Sequence, residues 1–189
     1  MLNFSPQHTP AKFIEYLFDP SFFDNYFVVI RNPISRLKSA FYFLQDCNTI
    51  EKKMDINFFV KEILPKNYMN IGWFDNHFYP QYLFLPTNTK YKLFLLENGI
   101  GAIKKYIDSE VLELNPLNIF FRKIKFHIKK IVRSSHYKSF KNDFPHNLKR
   151  NYSGCIELNN SSIAIIQDIY EKDFKIFNKE LKIINQHTN

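Results

Sequence analysis

The sequence predicts an α/β fold in which helices flank a small, mainly parallel sheet, as one domain over residues 1–189. Two continuous apolar runs, Tyr26–Ile30 and Tyr91–Leu96, are rich in aromatic and β-branched residues. Such runs are typical of strands buried on both faces of a sheet, and here each precedes a helical pattern. The apolar content of 45% over 189 residues is sufficient for one hydrophobic core.

Helices are predicted before, between and after these strands. In the first helix, Phe13, Tyr16 and Leu17 form the apolar face. Pro65 ends the third helix, and Ser162 caps a last helix with a clear apolar stripe. In chain order, the predicted helices are Thr9–Phe18, Pro33–Gln45, Ile56–Ile63, a helix that ends near Tyr106, and the last one from Ser162 to Phe177.

The turn between the first strand and the second helix predicts an anion site. Arg31 stands at the end of the strand, Asn32 is suited to cap the helix, and Pro33 is suited to its first turn. An arginine fork that faces the free amides of a helix start is a favourable place for a phosphate.

These residues also resemble a known family. The pattern R-N-P-x-x-R-x-x-S-A-F after F-V-V-I resembles the 3′-phosphate-binding segment of PAPS-dependent sulfotransferases, particularly the Golgi-type carbohydrate enzymes and their bacterial relatives. The resemblance implies a P-loop-NTPase-like sulfotransferase fold, with Arg31 and Ser39 binding the 3′-phosphate of PAPS (3′-phosphoadenosine 5′-phosphosulfate). Three further segments resemble the family more weakly and follow in the family's order, at Asp75–Tyr82, Tyr91–Asn98 and Ile169–Phe177.

One feature of the family is missing from this sequence. Its members carry a P-loop-like segment upstream that cradles the 5′-phosphosulfate and supplies a catalytic lysine. Residues 1–25 contain no glycine and one lysine, Lys12, inside a helical pattern. A loop whose amides wrap a phosphate needs residues that tolerate unusual dihedral angles. The sequence therefore predicts an N-terminally truncated sulfotransferase fold.

The resemblance implies transfer of a sulfuryl group from PAPS to a carbohydrate hydroxyl, a reaction that needs no metal. The base candidates are His77, in a loop between Gly72 and Pro80, and Glu97, at the end of the second strand, with a structural role open for both. Arg36 is expected to brace the loop rather than touch ligand. Two neighbours of His77 either orient it or satisfy backbone groups, namely Asp75 and Gln81.

Positive charge is concentrated in one segment. Between Arg122 and Arg150 there are 10 Lys or Arg and one acid, Asp143, whereas the whole chain carries +8. A basic amphipathic helix in this segment could be a solvated face, or could contact an anionic glycan, an acidic membrane or nucleic acid. Because the resemblance implies a carbohydrate or other anionic acceptor, the residues assigned to its binding are Lys129, Lys130 and Arg133.

Two other function classes stay open. One is a non-catalytic nucleotide- or glycan-binding remnant, and the other is a basic protein that binds nucleic acid or a membrane surface, of which nucleic acid is the less favoured partner. No G-x-S-x-G, Walker A or dinucleotide glycine pattern occurs. No metal site is expected, because no metal-ligand spacing relates His8, His127, His136, His146 and His187 to one another or to the cysteines.

The expected location is the cytoplasm. The sequence begins with no secretory signal, and its longest apolar runs are too short to span a bilayer. An anchor upstream of this sequence would instead place the protein at a membrane.

Overall fold

The computed structural model describes residues 8–23, 25–108 and 157–187. The chain divides into two compact units, Met1–Gly99 with Tyr152–Asn189, and Ile100–Asn151. In the first unit, the helices are α1 (Ala11–Leu17), α2 (Pro33–Asp46), α3 (Ile56–Phe58), α4 (Leu64–Asn67), α6 (Asn160–Ile169) and α7 (Glu171–His187), and the strands are β1 (Phe27–Ile30) and β2 (Lys92–Leu95). The described part of the second unit contains α5 (Ile100–Tyr106).

The two strands form the parallel sheet that the sequence predicts. Residues pair in register from Phe27 with Lys92 to Ile30 with Leu95. The prediction that both strands are buried on both faces is wrong. Phe27 and Val29 are 42% and 38% exposed, and the sheet among the described residues has no strand beyond β1 and β2. Ile30 and Leu95 are buried in a small core that Phe177 of α7 completes, and Val28 and Leu93 pack against it partly buried.

The main core lies between α2, the α3–α4 segment and α6. Its largest fully buried side chains are Phe41, Phe59, Phe78, Leu37, Ile56, Leu64 and Ile166. The predicted helix Pro33–Gln45 is confirmed as α2, which buries Leu37, Phe41 and Leu44 in this core. The predicted stripe of the last helix is confirmed as well, with Ile166, Tyr170 and Phe177 buried.

The predictions for the face of α1 and for Pro65 are corrected. In α1, Tyr16 and Leu17 are 87% and 60% exposed, so Ala11 is the buried residue of the helix in place of the predicted aromatic and leucine face. Pro65 does not end its helix, because a π turn at Phe59–Ile63 shifts the hydrogen-bond register and places Pro65 in the first turn of α4, where a missing N–H is no loss.

The last predicted helix is two helices with a break at Tyr170. The cap of α6 is Asn159, whose Oδ1 accepts from the amide of Ser162 at 2.9 Å. Ser162 is therefore a first-turn residue and not the cap. Within the described ranges, no helix combines the length and the apolar character that crossing a membrane requires.

Candidate anion site at the carboxyl edge of the sheet

The candidate site is built where both parallel strands end. Arg31 follows β1, and Glu97 lies in a 3₁₀ turn, Leu96–Asn98, that follows β2. Side chains that follow parallel strands meet at the same edge of a sheet, which is the usual ligand edge of α/β folds. The Glu97 carboxylate is exposed and accepts a hydrogen bond from the backbone amide of Asn32 at 2.8 Å. Glu97 thereby ties the end of β2 to the start of α2.

The backbone of Arg31 is held by the side-chain amide of Gln81. The Arg31 amide donates to Gln81 Oε1 at 2.8 Å, and Gln81 Nε2 donates to the Arg31 carbonyl at 2.8 Å. Arg31 is partly buried, and its guanidinium makes no hydrogen bond or ion pair with the described part of the chain. The backbone is thus fixed, and the described residues use none of the five side-chain donors of Arg31.

The start of α2 differs from the expectation of free amides. Asn32 Oδ1 accepts from the amides of Ile34 and Ser35 at 3.0 and 3.2 Å, so the cap is confirmed but it occupies both donors. An anion here must therefore be bound by side chains rather than by these amides.

Ser39 is the second predicted side chain of the site. It lies six residues beyond Pro33, or about 9 Å along the helix axis at about 1.5 Å per residue. Ser35 and Ser39 are four residues apart and share a helix face. The Ser39 hydroxyl is partly buried and has no hydrogen-bond partner within residues 8–23, 25–108 and 157–187.

A buried carboxylate, that of Asp173, binds the backbone amide of Gln81. Asp173 of α7 is 2% exposed and accepts from the backbone amides of Gln81 and Tyr82 at 2.7 and 2.8 Å. Burial raises the pKa of Asp173, although these two hydrogen bonds and the positive charge of Arg36 oppose the rise. Asp173 therefore holds the backbone of Gln81, and the side chain of Gln81 in turn holds the backbone of Arg31.

The raised pKa of Asp173 gives a pH prediction. The folded chain keeps this proton at pH values where the unfolded chain, with an ordinary pKa of 3.8, has released it. Its stabilising contribution is therefore complete below pH 3.8 and is lost as the pH rises through the raised folded pKa. We expect the free energy of unfolding of the wild type, minus that of Asp173→Asn, to fall as the pH rises through this window, measured by urea unfolding.

Asp19 provides a control of opposite sign for this measurement. Hydrogen bonds from Ser21 lower the pKa of its exposed carboxylate. The difference between the wild type and Asp19→Asn should therefore rise with pH up to 3.8. Equal slopes for the two differences would contradict the placement of Asp173.

Arg36 braces the loop that carries His77, in agreement with its expected role. Its Nη2 donates to the carbonyl of Asn76 at 3.3 Å. Burial lowers the pKa of Arg36, whereas Tyr170 and Asp173 oppose that effect. The pocket beside it is lined by Pro33, Arg36, Leu37, His77, Phe78 and Tyr170, and it is too narrow for a water molecule.

His77 lies against other rings and not against Gln81. Its ring centroid is 4.5 Å from that of His8 and 5.4 Å from that of Phe43. Burial, followed by the nearby His8, lowers the pKa of His77 to about 4. Asp75 contacts His8, with 2.8 Å between Oδ2 and Nδ1. Of the two side chains considered for orienting His77, Gln81 therefore holds the backbone of Arg31, and Asp75 binds a second histidine.

The structure brings together some of the predicted residues and adds others. The site contains Arg31 at the end of β1, Glu97 after β2, and Ser39 on α2. The predicted acceptor residues lie outside the described residues; these are Lys129, Lys130 and Arg133. Sequence reasoning missed Asp173. Its signal was a lone acid on the apolar stripe, three residues after Tyr170 and four before Phe177. His8 was missed because 69 residues separate it from His77.

Comparison with models of protein families gives a match over most of the chain. A family model described as "Sulfotransferase family" matches residues 1–180, which is nearly the whole chain. No curated protein sequence and no solved structure matches the chain significantly. The matched range includes β1, α2, β2, α6 and most of α7, and hence every described residue of the candidate anion site.

Proposed function

Because the chain belongs to the sulfotransferase family, we propose that it binds PAPS and takes part in sulfuryl transfer to a carbohydrate hydroxyl. Arg31 is the observation on which the proposal depends. Its backbone is fixed by Gln81 at the carboxyl edge of the sheet, and its guanidinium has no partner among the described residues. A guanidinium in this place can bind an anion that reaches the carboxyl edge of the sheet.

The residues present fit the 3′-phosphate end of PAPS. A guanidinium offers two parallel N–H donors to two phosphate oxygens, a geometry that lysine cannot reproduce. The hydroxyl of Ser39, which has no partner among the described residues, adds one donor from a partly buried position on α2. The positive end of the α2 dipole also favours a negatively charged phosphate, even though Asn32 occupies the first amides of the helix.

The 5′-phosphosulfate end has no such support in the part of the chain before β1. Residues 8–23 and 25–26 form α1 and a 3₁₀ turn at Pro20–Phe22, and they contain no glycine. These residues provide no backbone cradle of the kind that wraps a phosphate. A second candidate function is binding of the nucleotide or of a glycan without catalysis.

In catalysis, PAPS would supply the sulfuryl group, and the chain would bind the acceptor and accept its proton. We propose His77 as the base from its place in the loop between Gly72 and Pro80. The pocket that it lines with Arg36 is too narrow for a water molecule, so that pocket does not support the assignment. Glu97 is the other candidate, although its carboxylate already accepts from Asn32. Acceptor binding by Lys129, Lys130 and Arg133 stays a proposal from the sequence.

Calorimetric titration with 3′-phosphoadenosine 5′-phosphate tests the proposal. We expect Arg31→Ala to weaken binding by about 10- to 100-fold, because a hydrogen bond to a charged group contributes about 1.5–3 kcal/mol. Ser39→Ala should cost about 10-fold for one such bond. The matched controls are Lys38→Ala, a neighbouring cation, and Ser35→Ala, a serine on the same face; both should bind like the wild type.

Adenosine 5′-monophosphate is the ligand control, since it lacks the 3′-phosphate. It should bind weakly and equally to the wild type and to Arg31→Ala. If the folded wild type does not bind the bisphosphate, or if Lys38→Ala weakens binding as much as Arg31→Ala, the proposed site is wrong. Nucleotide binding without transfer of labelled sulfuryl groups to a panel of sugars would support the non-catalytic alternative.

A further inference from the structure

A second cluster of reactive side chains lies at the loop that follows α4. His8, Asp75 and His77 each offer one potential ligand atom, and these atoms lie within 4.8 Å of one another. Among residues 8–23, 25–108 and 157–187, this is the one group of three or more such residues that could hold a metal ion. Asp75 Oδ2 lies 2.8 Å from His8 Nδ1, and the two imidazole rings meet edge to face.

The backbone that presents two of these ligands is strained. Phe74, Asp75 and Asn76 have φ angles of 45°, 54° and 61°. Left-handed backbone is unfavourable for residues other than glycine, less so for Asp and Asn, and three such residues in succession persist only when their surroundings enforce them. This turn places the side chains of residues 75 and 77 on the His8 side of the loop.

Asn76 holds the cluster together. It is 1% exposed, its Oδ1 accepts from the Gly72 amide at 2.7 Å, and its Nδ2 donates to the His8 carbonyl at 2.9 Å. Its own carbonyl accepts from Arg36. One side chain therefore fixes the strained turn and also anchors the N-terminal segment that carries His8.

The donor set is specific for a class of metal. Two imidazoles and one carboxylate suit Zn²⁺ and its first-row neighbours, whereas Mg²⁺ and Ca²⁺ prefer oxygen ligands alone. The side chains of His8 and Asp75 are 27% and 35% exposed, so an ion can reach them from solvent. The same exposure leaves room for a water ligand, as in zinc sites with three protein ligands.

We propose that His8, Asp75 and His77 form a binding site for one divalent transition-metal ion of the Zn²⁺ or Co²⁺ type. Ligand atoms around tetrahedral zinc lie about 3.3 Å apart, given bonds of about 2.0–2.1 Å. The cluster therefore contracts by side-chain rotation when the ion binds. The site does not depend on nucleotide binding. A bound ion occupies the lone pair of His77, so it prevents His77 from acting as a base.

Titration of the full chain with Co²⁺, followed by its visible absorption, tests the site. We expect one equivalent to bind with the spectrum of a four- or five-coordinate ion and to be displaced by Zn²⁺ but not by Mg²⁺. His8→Gln, Asp75→Asn and His77→Gln should each weaken binding by about 100-fold, because loss of an outer partner alone costs 10- to 100-fold. Asparagine tolerates the left-handed backbone of position 75, so Asp75→Asn should fold.

The matched control is Asp168→Asn, an exposed acid on α6. It should bind Co²⁺ like the wild type. Thermal unfolding without metal establishes that each variant is folded. If the folded wild type binds no Co²⁺, or if the His8→Gln/His77→Gln double variant binds with the wild-type spectrum and affinity, the site is wrong. In the latter case, binding resides on the remaining histidines.

Discussion

Replacing Asp173 by alanine is expected to lower the free energy of unfolding by about 3–5 kcal/mol, the usual effect of removing one partner from a buried charge arrangement. The substitution leaves two buried backbone donors, the amides of Gln81 and Tyr82, without an acceptor. It also removes the negative charge that opposes the desolvation of Arg36. Urea unfolding can be followed through the single tryptophan, Trp73, which stacks on Phe59 with centroids 5.9 Å apart.

Asp168→Ala is the control for this prediction. It removes an exposed carboxylate from the neighbouring helix α6, so its effect should stay within about 0.5 kcal/mol. A similar loss in both variants would mean that Asp173 acts only through general charge.

A double-mutant cycle separates the charge effect from the hydrogen bonds. Arg36→Met alone leaves the carboxylate without its nearby cation, and Asp173→Asn alone leaves the guanidinium without its anion. The double variant buries neither charge, so it should be less destabilised than the sum of the two, by about 0.5–3 kcal/mol. Strict additivity would show that Arg36 and Asp173 do not interact.

Local sequence signals were sufficient for the elements that hold the anion site. The Arg-Asn-Pro turn predicts β1, the Asn32 cap and α2, and all three are confirmed because dihedral preference and capping act within a few residues. The second strand and the stripe through Ile166, Tyr170 and Phe177 are confirmed for the same reason. Each pattern is complete within one segment.

Contacts between distant segments could not be predicted in this way. Gln81 and Arg31 are 50 residues apart, and Asp173 is 92 residues from Gln81. Nothing in the local sequence of either partner specifies such a pair. The exposure of Tyr16 and Leu17 was missed for a related reason, since helical periodicity identifies a face but not whether another element covers it. The strained turn at Phe74–Asn76 likewise depends on distant partners.

Replacing Gln81 by alanine is expected to reduce both stability and nucleotide affinity. The variant loses the two hydrogen bonds that hold the Arg31 backbone, at a cost of about 1–3 kcal/mol for each buried group left unpaired. Without these bonds the Arg31 backbone is more mobile, and its side chain occupies more positions. Nucleotide binding must then order that side chain, which makes the binding free energy less favourable. We expect binding of 3′-phosphoadenosine 5′-phosphate to weaken by about 10-fold, or about 1.4 kcal/mol.

Gln45→Ala distinguishes positioning of Arg31 from loss of stability. Among the described residues, Gln45 Nε2 likewise donates to backbone carbonyls, those of Glu51, Lys52 and Met54. Its removal should destabilise the chain without changing nucleotide affinity, because none of these groups contacts the Arg31 backbone. In the Arg31→Ala background, Gln81→Ala should likewise leave the residual affinity unchanged, since there is no guanidinium to position. A further loss of affinity in that background would show that Gln81 contacts the nucleotide itself, because only a direct contact could act without the arginine.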